Sequence, residues 1–226
     1  MIHRIYLRLS ERRRPGAAIL FFSMLLFMAS DRPASAQRAK QKQQSRSYKV
    51  DTSQSSINVT LTQEGLMSRR YPVHRVTVKN FSSKIELPKD ETRLSVEVEA
   101  PAGLLTNTDE AMSEFERNEF HNVLRNTVLE STKFPSIKFV SASVADIQKS
   151  GDNRSFTLHG DLTMHGVTKR VSFPVSVTLT KVELRATGET KLKQSDFGMR
   201  PFERGLGLIK IGDEVKVNFI VVAKTS

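Results

Sequence analysis

Alternation of apolar and polar residues constrains this chain more than any other feature. The pattern recurs in seven segments after residue 48; in one of them, Val171, Phe173 and Val175 alternate with polar or small neighbours. Successive side chains of a β-strand point to opposite faces, so this period of two predicts half-buried strands. An eighth strand region covers residues 75–87, where a change of apolar phase between Val78 and Phe81 predicts either a bulge or a break.

Short turn sequences separate these segments. The clearest are residues 88–90, 151–153 and 165–166, which contain Pro, Gly, Asp or Asn. Short connections require antiparallel neighbours. An antiparallel sheet of about eight strands buries one face either by closing on itself or by stacking on a second layer. The sequence therefore predicts an all-β fold.

One amphipathic helix is predicted over residues 109–127. Asn107 and Glu110 resemble a capping box at its start. An apolar stripe follows within a polar segment, formed by Met112, Phe115, Val123 and Leu124. We expect this stripe to pack on the sheet, and a role as a lid over an open end is the alternative.

The first 36 residues resemble a cleaved signal peptide. A basic segment ending at Arg14 precedes an apolar run over residues 17–29, which is shorter than the roughly 20 residues that span a bilayer. The small residues 34–36 then predict cleavage before Gln37. The alternative is an N-terminal membrane anchor. We expect export to the periplasm, or secretion where there is no outer membrane.

The net charge of +11 is concentrated near the N-terminus. Residues 1–36 carry +4 and residues 37–47 another +4, so residues 48–226, the predicted domain, carry only +3. This domain lacks the basic stripe that nucleic-acid binding requires. Residues 37–47 are predicted to be a disordered polar linker, with contact to anionic lipid head groups as the alternative.

The chemistry-bearing residues form no recognisable catalytic or metal site. The absence of cysteine excludes disulfides, thiolate metal ligands and Cys nucleophiles. His159 and His165 share a strand parity without a nearby third ligand, although a site assembled in space stays open. No Gly-x-Ser-x-Gly nucleophile turn is present, and pairs such as Asp213-Glu214 are typical of turns. We therefore predict no enzyme activity, no metal and no cofactor.

Five sequence blocks are distinctive when they are taken together. The strongest is Leu158-His159-Gly160-Asp161-Leu162-Thr163-Met164-His165-Gly166-Val167-Thr168-Lys169. The other blocks lie at residues 48–51, 134–139, 195–199 and 212–215. In composition and order the five blocks resemble the YceI-like family, the polyisoprenoid-binding, lipocalin-like proteins of bacterial periplasms, and the strongest block is similar to the family's central hairpin. Gln54 departs from the pattern, because many members have His there.

The resemblance implies an eight-stranded antiparallel lipocalin-like β-barrel with one amphipathic α-helix. Its lumen would hold an isoprenoid-like lipid, and the family resemblance allows a homodimer. Strand parity and the resemblance together predict the lumen-lining, ligand-binding side chains, which are Phe139, Phe156, Leu158, Phe173, Val175, Val177, Phe197 and Phe219.

Two functions stay open at this point. The first is a non-catalytic carrier or store for a long apolar ligand such as a polyisoprenoid or an isoprenoid quinone. The second is a periplasmic protein-interaction or envelope-stress module whose barrel is filled by its own side chains. Small inward residues (Ser83, Gly160 and Ala186) fit either, because they leave room for a ligand or accommodate a bulky neighbour. Arg200, Arg204 and Lys210 would meet an anionic head group or form a solvated loop.

Overall fold

The computed structural model describes residues 45–69 and 73–226. The predicted signal peptide, residues 1–36, and residues 37–44 of the predicted linker lie outside this part of the chain. The last three linker residues, 45–47, belong to the first strand and pair with β4 (Ser82–Pro88). The folded domain therefore includes Ser45, three residues before the predicted boundary at residue 48.

Within the described residues, the elements follow one another as twelve strands and one α-helix. The strands are β1 (Ser45–Val50), β2 (Ser56–Glu64), β3 (Val73–Val78), β4 (Ser82–Pro88), β5 (Ser95–Pro101), β6 (Thr106–Asn107), β7 (Ser136–Ser150), β8 (Asn153–Met164), β9 (Val167–Leu179), β10 (Glu183–Lys193), β11 (Glu203–Arg204) and β12 (Ile209–Thr225). The helix α1 (Glu114–Val123) continues into a π-helical turn, Leu124–Val128. None of the helices in residues 45–69 and 73–226 is long and apolar enough to cross a membrane.

The twelve strands form a closed barrel with eight strand positions around its circumference, and each position is here called a stave. β1 and β2 form one stave, because both pair with β12 and are separated only by the break at residues 51–55. β3 and β4 form the next, and the break at residues 79–81 confirms the predicted interruption between Val78 and Phe81. The two-residue strands β6 and β11 add to the edges of β3 and β12.

Antiparallel pairing continues around the whole circumference. From β4 the order runs through β5, β7, β8, β9, β10 and β12, and β12 then pairs with β1 and β2. β1 in turn pairs with β4, which completes the ring. The predicted eight-stranded antiparallel barrel with one helix is therefore confirmed.

The hairpin between β8 and β9 shows how local sequence determines the turns. His165 and Gly166 both have positive φ, 53° and 75°, as a two-residue turn between twisted strands requires. A Cβ at Gly166 would lie 2.6 Å from the Phe134 ring. Glycine is thus required here both for its backbone conformation and for the ring packed over it.

The helix begins later than predicted. Ser113 is the N-cap: its hydroxyl accepts from the Glu116 N–H, and the Glu116 carboxylate accepts from the Ser113 N–H. Asn107 lies instead in β6, and its side-chain oxygen accepts from the Asp109 N–H at 2.7 Å. This local turn resembles a helix cap in sequence, which explains the wrong predicted start.

The apolar face of the helix agrees with the prediction at Val123 and Leu124, which pack in the core, and differs from it at Phe115. Phe115 is 75% exposed, so it does not pack on the barrel. Contact is made through Phe120, Leu124 and Val128, which belong to or pack against a buried core cluster. These residues are spaced by four and therefore lie on one face.

The helix lies at one end of the barrel. This end, here called the helix end, also carries the turn 165–166 and the segment 194–208 between β10 and β12. The opposite end, here called the hairpin end, carries the connections 89–94, 151–152 and 180–182. The two ends differ in that one has a helix packed over it and the other has short turns.

Two histidines attach the helix to the barrel wall. His74 of β3 is 8% exposed, and its ring centroid lies 5.4 Å from that of Phe120. His121 Nε2 accepts a hydrogen bond from the Asn107 N–H at 2.9 Å, so this nitrogen carries no proton. Burial lowers the pKa of His74, against the opposing effect of Asp109. Burial lowers the pKa of His121 as well, assisted by Arg125 and Arg117.

We expect the protein to lose stability as the pH falls below about 6.5. Both histidines have folded pKa values below the 6.5 of an ordinary histidine, so the unfolded chain takes up these protons first. The stabilising contribution is complete above this pH and declines beneath it. Urea unfolding between pH 7 and pH 5 measures this slope, which His74→Leu with His121→Gln should flatten. His159→Gln, on the outer face of β8, is the control. If this variant flattened the slope as much as the double variant, the assignment of the pH dependence to His74 and His121 would be wrong.

Candidate functional site

The barrel encloses an apolar cavity of about 280 Å³. Aliphatic and aromatic side chains from every stave point into it, as strand alternation requires. Among the described residues that line it, Ser83, Thr190 and Gln194 carry polar side chains and none is charged. An apolar cavity of this kind does not retain water well and is suited to an apolar guest.

Seven of the eight predicted lining residues point into the cavity. They are Phe139, Phe156, Leu158, Phe173, Val175, Val177 and Phe219. Phe197 does not line it. This residue is 1% exposed in a 3-10 turn, Gln194–Phe197, where the strand parity used for the prediction does not apply. Binding of a ligand by the seven residues stays a prediction.

Sequence parity did not identify the residues that close the helix end. Leu124, Val128 and Leu129 from the end of the helix line the cavity, together with Leu105 and Met199 from the connecting segments. The spacing of four from Phe120 through Leu124 to Val128 was the available signal. The helix therefore packs on the barrel and also covers one end of the lumen.

Bulky and small residues alternate around the lumen. Phe139 of β7, Phe173 of β9 and Phe219 of β12 form a row with ring centroids 5.5 and 5.7 Å apart. Glycines occupy the strands between them: Gly160 of β8 lies under the Phe139 ring, and Gly188 of β10 lies under the Phe219 ring. Gly160 thus accommodates a bulky neighbour.

Two of the three polar side chains of the lumen differ in their hydrogen bonding. The Gln194 amide donates to the Gly212 carbonyl at 2.9 Å. The Ser83 hydroxyl is buried with no hydrogen-bond partner among the described residues. Within those residues, no three His, Asp or Glu side chains come close enough to hold a metal ion. This arrangement can bind an apolar chain and offers it few polar contacts.

Arg200, Arg204 and Lys210 lie at the helix end and do not line the cavity. Arg200 and Arg204 are exposed. Lys210 is 3.4 Å from the Glu64 carboxylate. The three cations belong to the surface around the β10–β12 connection, which favours the solvated-loop interpretation.

Comparison with known families supports the resemblance seen in the sequence. The model of the YceI-like domain matches residues 48–223. The chain belongs to the YceI-like family. No curated protein matches this YceI-like chain.

Solved structures share the fold at low sequence identity. BcnA from Burkholderia cenocepacia has a TM-score of 0.58 at 20% identity, covering 76% of this chain and 98% of its own. A polyisoprenoid binding domain from Saccharophagus degradans, implicated in plant cell wall breakdown, has a TM-score of 0.56 at 9% identity, covering 79% and 98%. The YceI protein of Campylobacter jejuni has a TM-score of 0.51 at 16% identity, covering 67% and 84%. At these identities the likeness shows a common fold.

Gly188→Ala should destabilise the barrel by roughly 1–3 kcal/mol, the usual cost of an extra methyl group in a packed core. The new Cβ would lie 2.5 Å from the Phe219 ring and 2.8 Å from the Pro174 carbonyl oxygen. Chemical denaturation measures the loss, and Thr187→Ala on the outer face is the control. Adding Phe219→Leu should restore part of the stability, because it removes the ring contact. Unchanged stability of Gly188→Ala would contradict the close packing.

Proposed function

We propose that this protein binds a long apolar chain in its lumen, as a carrier or store, without chemical turnover. The cavity of about 280 Å³, with no charged residue among its described lining, is the observation that carries this proposal. Its volume is close to the lower end of the range for ligand sites. Burial of each methylene in such a site contributes about 0.8 kcal/mol, so affinity would grow with the length of the buried chain.

An isoprenoid-like lipid is the ligand class we propose. The neighbour from Saccharophagus degradans is described as a polyisoprenoid binding domain. Family membership makes the same class the first choice here. Binding without catalysis is supported by the lumen itself, because no residue of its described lining carries an acid, a base or an activated nucleophile.

The free space in the lumen favours the carrier over the interaction module. A barrel filled by its own side chains would leave no cavity, whereas the Phe139–Phe173–Phe219 row fills only part of this one. Export to the periplasm through a cleaved signal peptide is part of the proposal, based on residues 1–36 of the sequence. The homodimer stays a prediction.

We also propose that the helix end contacts an anionic membrane surface. Leu66 is 81% exposed and Leu206 fully so, in two adjacent connections of this end. The connections touch, because a Cβ at Gly65 would collide with the Gly207 carbonyl. Exposed Arg200 and Arg204 precede Leu206 in the second connection. Exposed aliphatic residues beside cations suit insertion at a lipid interface.

Replacing both leucines should weaken membrane binding by about tenfold, since each removes apolar surface from the lipid interface. Leu66→Ser with Leu206→Ser is compared with Val182→Ser, which removes an aliphatic residue that is 66% exposed at the hairpin end. Sedimentation with vesicles of phosphatidylcholine and phosphatidylglycerol is the measurement. Equal binding of the double variant and the wild type would remove the proposed contact.

The ligand is tested by native mass spectrometry of the protein purified gently from its own cells, followed by solvent extraction. We expect a stoichiometric isoprenoid-like or other long-chain adduct. Ala186→Phe, which fills the lumen, should lose it, whereas Thr187→Phe on the outer face should retain it; circular dichroism checks folding. An unliganded mass, unchanged after quinones and polyprenyl phosphates are offered, would instead support the interaction module.

A further inference from the structure

The barrel wall is incompletely paired between β9 and β10. Their ladder runs from the pair Leu179 and Leu184 to the pair Val175 and Gly188, and stops there. Both strands continue toward the helix end, where β9 pairs only with β8 and β10 only with β12. Within residues 167–193, this leaves a gap between 169–173 of β9 and 190–193 of β10, here called the wall gap.

The sequence explains why pairing stops at this point. The next residue of β9 toward the helix end is Pro174, which has no N–H to donate to a neighbouring strand. At the far end of the gap, the chain leaves β10 for the 3-10 turn Gln194–Phe197, and the Phe197 carbonyl lies 3.3 Å from His165 Nδ1. The wall gap is thus bounded by the paired ladder on the side of the hairpin end and by the packed turn on the side of the helix end.

A surface pocket of about 520 Å³ lies over the wall gap. Val171, Thr190 and Leu192 line both this pocket and the apolar cavity inside the barrel. The two spaces therefore meet at these three side chains. A molecule with its chain in the lumen could place its polar end in the outer pocket.

The outer pocket is positively charged. Lys169, Arg170, Lys191 and Lys193 line it, with Asp196 and Glu214 as the only acidic residues of its described lining. Arg170 is paired with Asp161 outside this lining, and Lys191 is paired with Glu214, each at 2.8 Å. Lys169 and Lys193 form no salt bridge among the described residues.

Lys169 occupies an unusual place in the sheet. It is opposite Leu162 on β8, and Leu162 lines the cavity. Directly opposite residues of a sheet share a face, so Lys169 belongs to the lumen-facing register, yet it is exposed. A cation in that register next to the wall gap is suited to meet a ligand where it leaves the lumen.

We infer that the wall gap is a lateral head-group site for an amphiphile with an anionic, phosphate-type head. The apolar chain occupies the lumen, and the head group lies in the outer pocket against Lys169 and Lys193. Charge-assisted hydrogen bonds from ammonium groups to phosphate oxygens are among the stronger polar contacts available to proteins. This inference rests on the proposed function, because it supplies the polar end of a ligand whose chain the lumen binds.

The test compares dodecyl phosphate, dodecanol and inorganic phosphate by titration calorimetry below the aggregation limit of each amphiphile. The wild-type protein should bind dodecyl phosphate about tenfold more tightly than dodecanol, as expected for contacts to a charged group. Inorganic phosphate alone should bind far more weakly than dodecyl phosphate. High salt should reduce the preference for dodecyl phosphate.

Lys169→Gln with Lys193→Gln should remove this preference and leave the affinity for dodecanol unchanged. The control is Lys89→Gln with Lys181→Gln, which removes the same charge from the hairpin end. Equal binding of dodecyl phosphate and dodecanol by the wild type would overturn the head-group site and leave the lumen function intact. A preference that survives the lysine replacement would also overturn the site. Binding of neither amphiphile would remove the proposed function and this inference with it.

Discussion

Closure of the sheet through β12 is the constraint on which the rest of the structure depends. This strand pairs with β10 on one side and with β1 and β2 on the other. The backbone ladder is interrupted at residues 51–55, and the Ser55 side chain bridges this interruption. Its hydroxyl accepts a hydrogen bond from the Val222 N–H at 2.9 Å and donates one to the Asp51 carbonyl at 2.7 Å. Hydrogen bonds from Ser53 and Gln54 lower the pKa of Asp51 to about 2, so its carboxylate stays ionised and holds this bend.

A closed ring of alternating side chains leaves a lumen whose content depends on residue size. Along β7 to β12 the large Phe139, Phe173 and Phe219 alternate with glycines on the intervening strands. This arrangement gives the rings fixed positions without filling the barrel. The remaining space is enclosed at the helix end by Leu124 and Val128, so the same helix that completes the core also defines the length of the cavity.

Strand content and most of the lumen follow from the sequence because their cause is local. Seven of the eight predicted lining residues lie on regular strands, where parity decides the face. Phe197 follows the end of β10 in a 3-10 turn, where a period of two has no meaning. The helix start was misplaced because Asn107 forms a local turn with Asp109. The wall gap depends on which residues stand opposite Pro174, and strand register of that kind is a tertiary property.

The interrupted ladder between β9 and β10 would offer a ligand of the lumen a lateral route to the surroundings. In a fully paired wall, a long occupant would have to leave along the barrel axis, through one of the two ends. A seam with few backbone hydrogen bonds can separate locally at a free energy well below that of global unfolding. Exchange of a molecule between the lumen and the solvent would then depend on local opening between β9 and β10, while the other strands keep their pairing. Substitutions near Pro174 would in that case change the retention time of a ligand and the thermodynamic stability of the protein separately.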